Sequence, residues 1–148
     1  MSTPWARRKL PELAGRATHV WQWELHSSQD LTRARVAFRR ELCSGAGPVP
    51  TSPGDVDVLL LAFEELASNG LRHGRPPVHV TISATASSWL LDVSDADPTR
   101  SPAPAVDRDP ADGGLGLHLV VELSTTRGWA VTPGRKHVWA SVPRAAVA

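Results

Sequence analysis

Within "FEELASNGLRHG" (residues 63–74) a carboxylate, an amide, a guanidinium and an imidazole stand at Glu65, Asn69, Arg72 and His73. At about 100° per residue the stretch divides into two arcs. Leu59, Phe63, Leu66, Ala67 and Leu71 gather on one arc; Glu65, Asn69 and Arg72 lie opposite, with His73 at the edge. An amide one turn from a carboxylate can hold Mg²⁺, which keeps several waters and takes few protein ligands, and can orient a nucleophile. The same arc also suits an ordinary solvated helix face.

Two further places could act on a ligand. Asp95 closes the apolar run "WLLDVSD", where it either caps a strand end or forms a buried acceptor for a ligand N–H. "GGLGL" opens a later apolar segment at Gly114 and Gly116. Glycines at a helix start let backbone N–H groups approach an anion, which the helix dipole also favours, although an ordinary loop-to-helix turn reads the same way. Other chemistries lack their residues. There is no GxxxxGK[ST], no HExxH and no GxSxG, and Leu119 stands where a dinucleotide fingerprint needs its third glycine.

The elements that must position these residues follow from periodicity. Val20, Gln22 and Glu24 alternate with Trp21, Trp23 and Leu25, predicting a first strand. Ser27 with Asp30 marks a helix start, and Leu31, Ala34, Phe38 and Leu42 mark its buried face. "CSGAGPVPTSPGD" is a loop; the helix of residues 55–73 follows and stops at Gly74 before Pro76 and Pro77. Val78, Val80 and Ile82, then Trp89, Leu91 and Val93, predict an antiparallel pair. Residues 97–112, with Pro98, Pro102, Pro104 and Pro110, form a long loop of the kind that serves as a lid. A third helix and a hairpin turning at Pro133-Gly134 complete the order β-α-α-β-β-α-β-β. That order predicts an α+β fold, a two-layer sandwich with helices on one face of a mixed, mostly antiparallel sheet.

Composition sets outer bounds. The 148 residues suit one domain at 18–148 after a loose, basic tail at 1–17. Sixteen Lys+Arg against fifteen Asp+Glu give a net charge of +1, so no overall field favours nucleic acid. The basic clusters at Arg7–Lys9 and at Arg33, Arg35, Arg39 and Arg40 read as tail and solvated helix face. A single cysteine excludes an internal disulfide and a cysteine metal cage, and no apolar run is long enough for a membrane span. The expected location is cytoplasmic.

The three features, in this order, resemble the Bergerat-fold ATP-binding domain of gyrase-type, chaperone, mismatch-repair and histidine-kinase ATPases. Residues 20–143 carry the resemblance, and it is nearest to the small stand-alone anti-sigma-factor serine kinases. In "EELASNGLRHG", Glu65 is similar to the catalytic carboxylate of that family and Asn69 to its Mg²⁺-binding asparagine; His73-Gly74 resemble the pair that closes the helix. Asp95 in "VSDADPT" resembles the acceptor of the adenine amino group. Gly114 and Gly116, followed by Leu117, resemble the glycine box against the phosphates. Arg100 and Arg108 in the loop are candidates to meet the γ-phosphate, on charge and place alone. The chain departs from the pattern at Asp97 and Thr99, where glycines are usual, and at His137, where a threonine near the adenine is common.

The resemblance implies ATP and Mg²⁺ as cofactors. It implies an anti-sigma factor that phosphorylates an antagonist protein on serine and binds a sigma factor through another surface. It leaves a homodimer open. The alternative is an ATP-sensing or vestigial partner-binding protein without kinase activity. A histidine-kinase catalytic domain is a weaker rival, because no long dimerisation helix with a phosphoacceptor histidine accompanies it. A nucleic-acid module is weaker still.

Overall fold

The computed structural model describes residues 5–11, 20–45, 47–99 and 114–145. Five strands, β1 (Val20–Leu25), β2 (Val78–Ala84), β3 (Ser88–Asp95), β4 (Thr126–Thr132) and β5 (Arg135–Pro143), form one sheet in the order β1-β2-β3-β5-β4. Every neighbouring pair in it is antiparallel. Three helices, α1 (Ser28–Ser44), α2 (Pro53–His73) and α3 (Gly114–Leu123), cover one face. The result is the two-layer α+β sandwich that the order of elements predicts.

Each element starts where its residues say it should. The Ser27 hydroxyl accepts from the Asp30 N–H at 3.3 Å and caps α1; the Ser52 hydroxyl accepts from Asp55 N–H at 3.2 Å and caps α2, with Pro53 in its first turn. Leu31, Ala34, Phe38 and Leu42 of α1 are buried, as their spacing predicts. The β4–β5 turn requires φ = 76° at Gly134, a left-handed conformation that glycine adopts without steric cost.

Aromatic rings fix α1 and α2 against β1. Phe38 meets Trp21 at 5.1 Å and Trp23 at 5.0 Å between centroids, and Phe63 meets Trp23 at 5.2 Å, all edge-on. Such pairs add about 0.5–1.5 kcal/mol each beyond the area they bury. They set where α2, the helix carrying Glu65 and Asn69, lies over the sheet.

Residues 5–11 read in sequence as part of a loose tail; here they run along the outer edge of β4. The Arg8 N–H donates to the Trp129 carbonyl at 2.8 Å, and the Trp129 N–H donates to that of Ala6 at 3.1 Å. Trp5 is buried, and the Trp139 indole donates to the Arg8 carbonyl at 3.0 Å. This pairing covers a strand edge that would otherwise expose unpaired backbone groups.

Candidate functional site

The polar arc of α2 is anchored from its far end. Asp55, in the first turn, is buried, and its Oδ2 accepts from the Trp89 indole and from the Ala145 N–H, both at 2.9 Å. That ties the helix start to β3 and to the chain beyond β5. Nearer the C-terminus, Leu59, Phe63, Leu66 and Ala67 face the core, while Leu71 is half-buried at its margin. Glu65 and Asn69, one turn apart on the other side, are half-buried; Arg72 is exposed and His73 is half-buried. Desolvation raises the Glu65 carboxyl above its ordinary 4.5, repulsion from Glu64 adds to this, and Arg72 opposes it. A raised carboxyl is a better proton acceptor when ionised than an exposed glutamate would be.

Beyond His73, the chain meets the end of β3. A Cβ on Gly74 would overlap the carboxyl group of Asp95, so only glycine allows this approach. The Asp95 Oδ1 accepts from the backbone N–H groups of Arg75 at 3.3 Å and Asp97 at 2.8 Å, and the Ala96 N–H donates to the Arg75 carbonyl at 2.8 Å. Arg135 braces the same corner. Its guanidinium donates to the Ser94 hydroxyl at 2.9 Å and to the carbonyls of Ser94 at 2.8 Å and Pro77 at 2.7 Å. Asp95 is therefore both a strand-end cap and a buried acceptor. Asn69 stands five residue steps before Gly74, about 7.5 Å along the axis, and Glu65 lies about 6 Å further. One ligand with a ring and a phosphate chain can bridge that separation.

Gly114 and Gly116 fall in the first turn of α3, as "GGLGL" predicts, and α3 packs beside α2. Leu117 is buried with Val120 beneath that turn. Asp97, a departure from the expected glycine, accepts from the Thr99 N–H at 3.0 Å and hydroxyl at 2.6 Å. Those bonds hold its carboxyl below the ordinary 3.8 and direct its charge into its own turn. Arg100 and Arg108 lie outside the described residues, as does most of the 97–112 loop.

One placement corrects the sequence reading. His137, expected near the adenine, points away from the helices. Its Nδ1 lies 3.0 Å from Asp92 Oδ1, and its Nε2 lies 2.9 Å from the Thr132 hydroxyl, on the opposite face of the sheet. Successive residues of a strand alternate between faces, so Lys136 stands beside Asp95 instead. Lys136 is buried, with its ammonium 3.4 Å from Asp95 Oδ2. The signal was present in sequence: Lys136 shares its phase with the core residues Val138, Ala140 and Val142.

Among the described residues no group of three or more His, Cys, Asp or Glu side chains is placed to hold a metal ion, and no helix is long and apolar enough to cross a membrane. The α2 arc fits a Mg²⁺-bound phosphate chain, since it offers a half-buried amide beside a half-buried carboxylate. The corner at Asp95 offers a base less, because its carboxylate is largely engaged. A family model described as the histidine kinase-like ATPase domain matches residues 28–142. No curated protein gives a significant match to the chain.

Proposed function

The chain belongs to the histidine kinase-like ATPase domain family and as such is an ATP-binding protein, and we propose that it is an anti-sigma factor and serine-protein kinase of a partner-switching pathway. The observation that carries this reading is Glu65, half-buried with a raised carboxyl, one helical turn from Asn69.

Bound ATP would supply the phosphoryl group, its β–γ anhydride bond breaking with ADP as the leaving group. Asn69 would hold Mg²⁺ through its amide oxygen. Glu65 takes the proton from the serine hydroxyl of an antagonist protein as that oxygen becomes the nucleophile. Gly114 and Gly116 offer backbone N–H groups to the phosphates, and the buried Leu117 anchors their turn. His73 and Asp95 stand at the base end. Arg100 and Arg108 remain candidates for the γ-phosphate on charge and place in the chain. Phosphoryl transfer needs chiefly positioning and charge neutralisation, which suits so small a scaffold.

The second reading, an ATP sensor that binds partners without transferring phosphate, is favoured by the engaged state of Asp95. Incubation with labelled Mg·ATP and candidate antagonist proteins separates the two. Label on an antagonist serine supports the kinase. ATP binding with no label on any antagonist that binds the chain supports the sensor.

A further inference from the structure

Lys136 is a buried charge that the chemistry at Glu65 and Asn69 does not use. It is the only charged residue on the core-facing phase of β5, where Val138, Ala140 and Val142 are its neighbours. Its side chain and that of Asp95 are each only 4% exposed. A buried charge is tolerated when it is paired, and register places these two directly opposite each other on adjacent strands.

The acceptor capacity of Asp95 is nearly filled. A carboxylate has about four lone-pair sites. Two on Oδ1 receive the Arg75 and Asp97 N–H groups, and Oδ2 faces the Lys136 ammonium at 3.4 Å. Gly74 closes one side of the carboxyl group so tightly that no Cβ fits.

We propose that Lys136 is an internal competitor for the nucleotide base: it holds the Asp95 oxygen that a base amino group would need. The inference rests on the ATP-binding reading of this site and deepens it. The full charge of the ammonium attracts the carboxylate more strongly than the dipole of a neutral amino group can. An exocyclic amino group therefore gains little by sharing Oδ2 with an ammonium. The base end then contributes weak selection, and the phosphate chain carries most of the affinity.

The test compares ATP with inosine triphosphate, which has an oxo group in place of the 6-amino group, by calorimetric titration in Mg²⁺. The wild-type chain should bind the two within about threefold. Lys136→Met, similar in length but uncharged, frees Oδ2. It should bind ATP about tenfold or more tightly than the parent and prefer it over inosine triphosphate by a similar factor, the scale of one hydrogen bond to a charged group. A wild-type preference for ATP of tenfold or more would overturn the proposal, as would a folded Lys136→Met with no gain. Should that variant fail to fold, Lys136→Gln keeps a neutral donor; a smaller gain in ATP preference supports the proposal and none overturns it. Tight binding of both nucleotides that no substitution changes refutes the role of Lys136 alone. Absence of binding of either nucleotide by any of these proteins refutes the nucleotide reading as well.

Discussion

Glu65 on α2 and Asp95 at the end of β3, against the C-cap of that helix, are both carboxylates, yet their surroundings differ in kind. Glu65 is half-buried, no hydrogen bond among the described residues holds it, and desolvation pushes its carboxyl up. Asp95 is buried, accepts two backbone N–H groups and faces an ammonium. A group that must exchange a proton needs free acceptor capacity. A group that fixes geometry needs that capacity filled. The same side-chain chemistry thus gives a carboxylate with open acceptor sites on the exposed side of α2 and a structural corner where that helix ends.

The sharpest way to break this contrast is to delete each carboxylate. Asp95→Ala leaves Lys136 buried without its partner and should cost about 3–5 kcal/mol in urea unfolding. Glu65→Ala should change stability by less than about 0.5 kcal/mol. Comparable losses at both positions would mean that Glu65 is structural too. Next in size is Gly74→Ala, which forces the α2 end away from Asp95 and should cost about 1–3 kcal/mol through overpacking. An unchanged melting temperature would show that the corner is loose.

These two carboxylates also show how far the sequence could be read. All eight elements were visible, because their apolar residues recur at clean helical or strand periods and their caps and breakers stand at the ends. Glu65, Asn69 and Asp95 were legible as positions on those elements. Lys136 was not: its phase within β5 was visible, but a charged residue in an apolar phase near a strand end reads as fraying until register places it opposite Asp95. His137 was misplaced for the matching reason, since motif spacing says nothing about which face a residue occupies. Gly74 against Asp95 is a contact across twenty-one residues of chain, and no local pattern encodes it.

Asn69→Ala sharpens the functional end of the comparison. It should weaken Mg·ATP binding by about tenfold, the low end for a lost hydrogen bond to a charged group. Stability should remain within about 0.5 kcal/mol, as for other substitutions outside the core. Nucleotide affinity equal to that of the parent, with and without Mg²⁺, would remove Asn69 from the site.

The smallest effect is in pH dependence. The folded-state pKa of Glu65 is raised, so the native state binds more protons than the unfolded state between the ordinary 4.5 and the raised value. Its contribution to stability is therefore lost as pH climbs through that window. Glu65→Gln should show a shallower decline there. Identical stability–pH curves for the two proteins would mean that the carboxyl is fully solvated.

The most direct measurement of Glu65 as general base is phosphoserine formation under single-turnover conditions, comparing the parent with Glu65→Gln on a confirmed antagonist. Glutamine keeps the size and hydrogen-bonding capacity but cannot take the proton. ATP affinity should stay within a few-fold while transfer falls by about 10²-fold or more. A Glu65→Gln protein that transfers phosphate as fast as its parent would contradict that role.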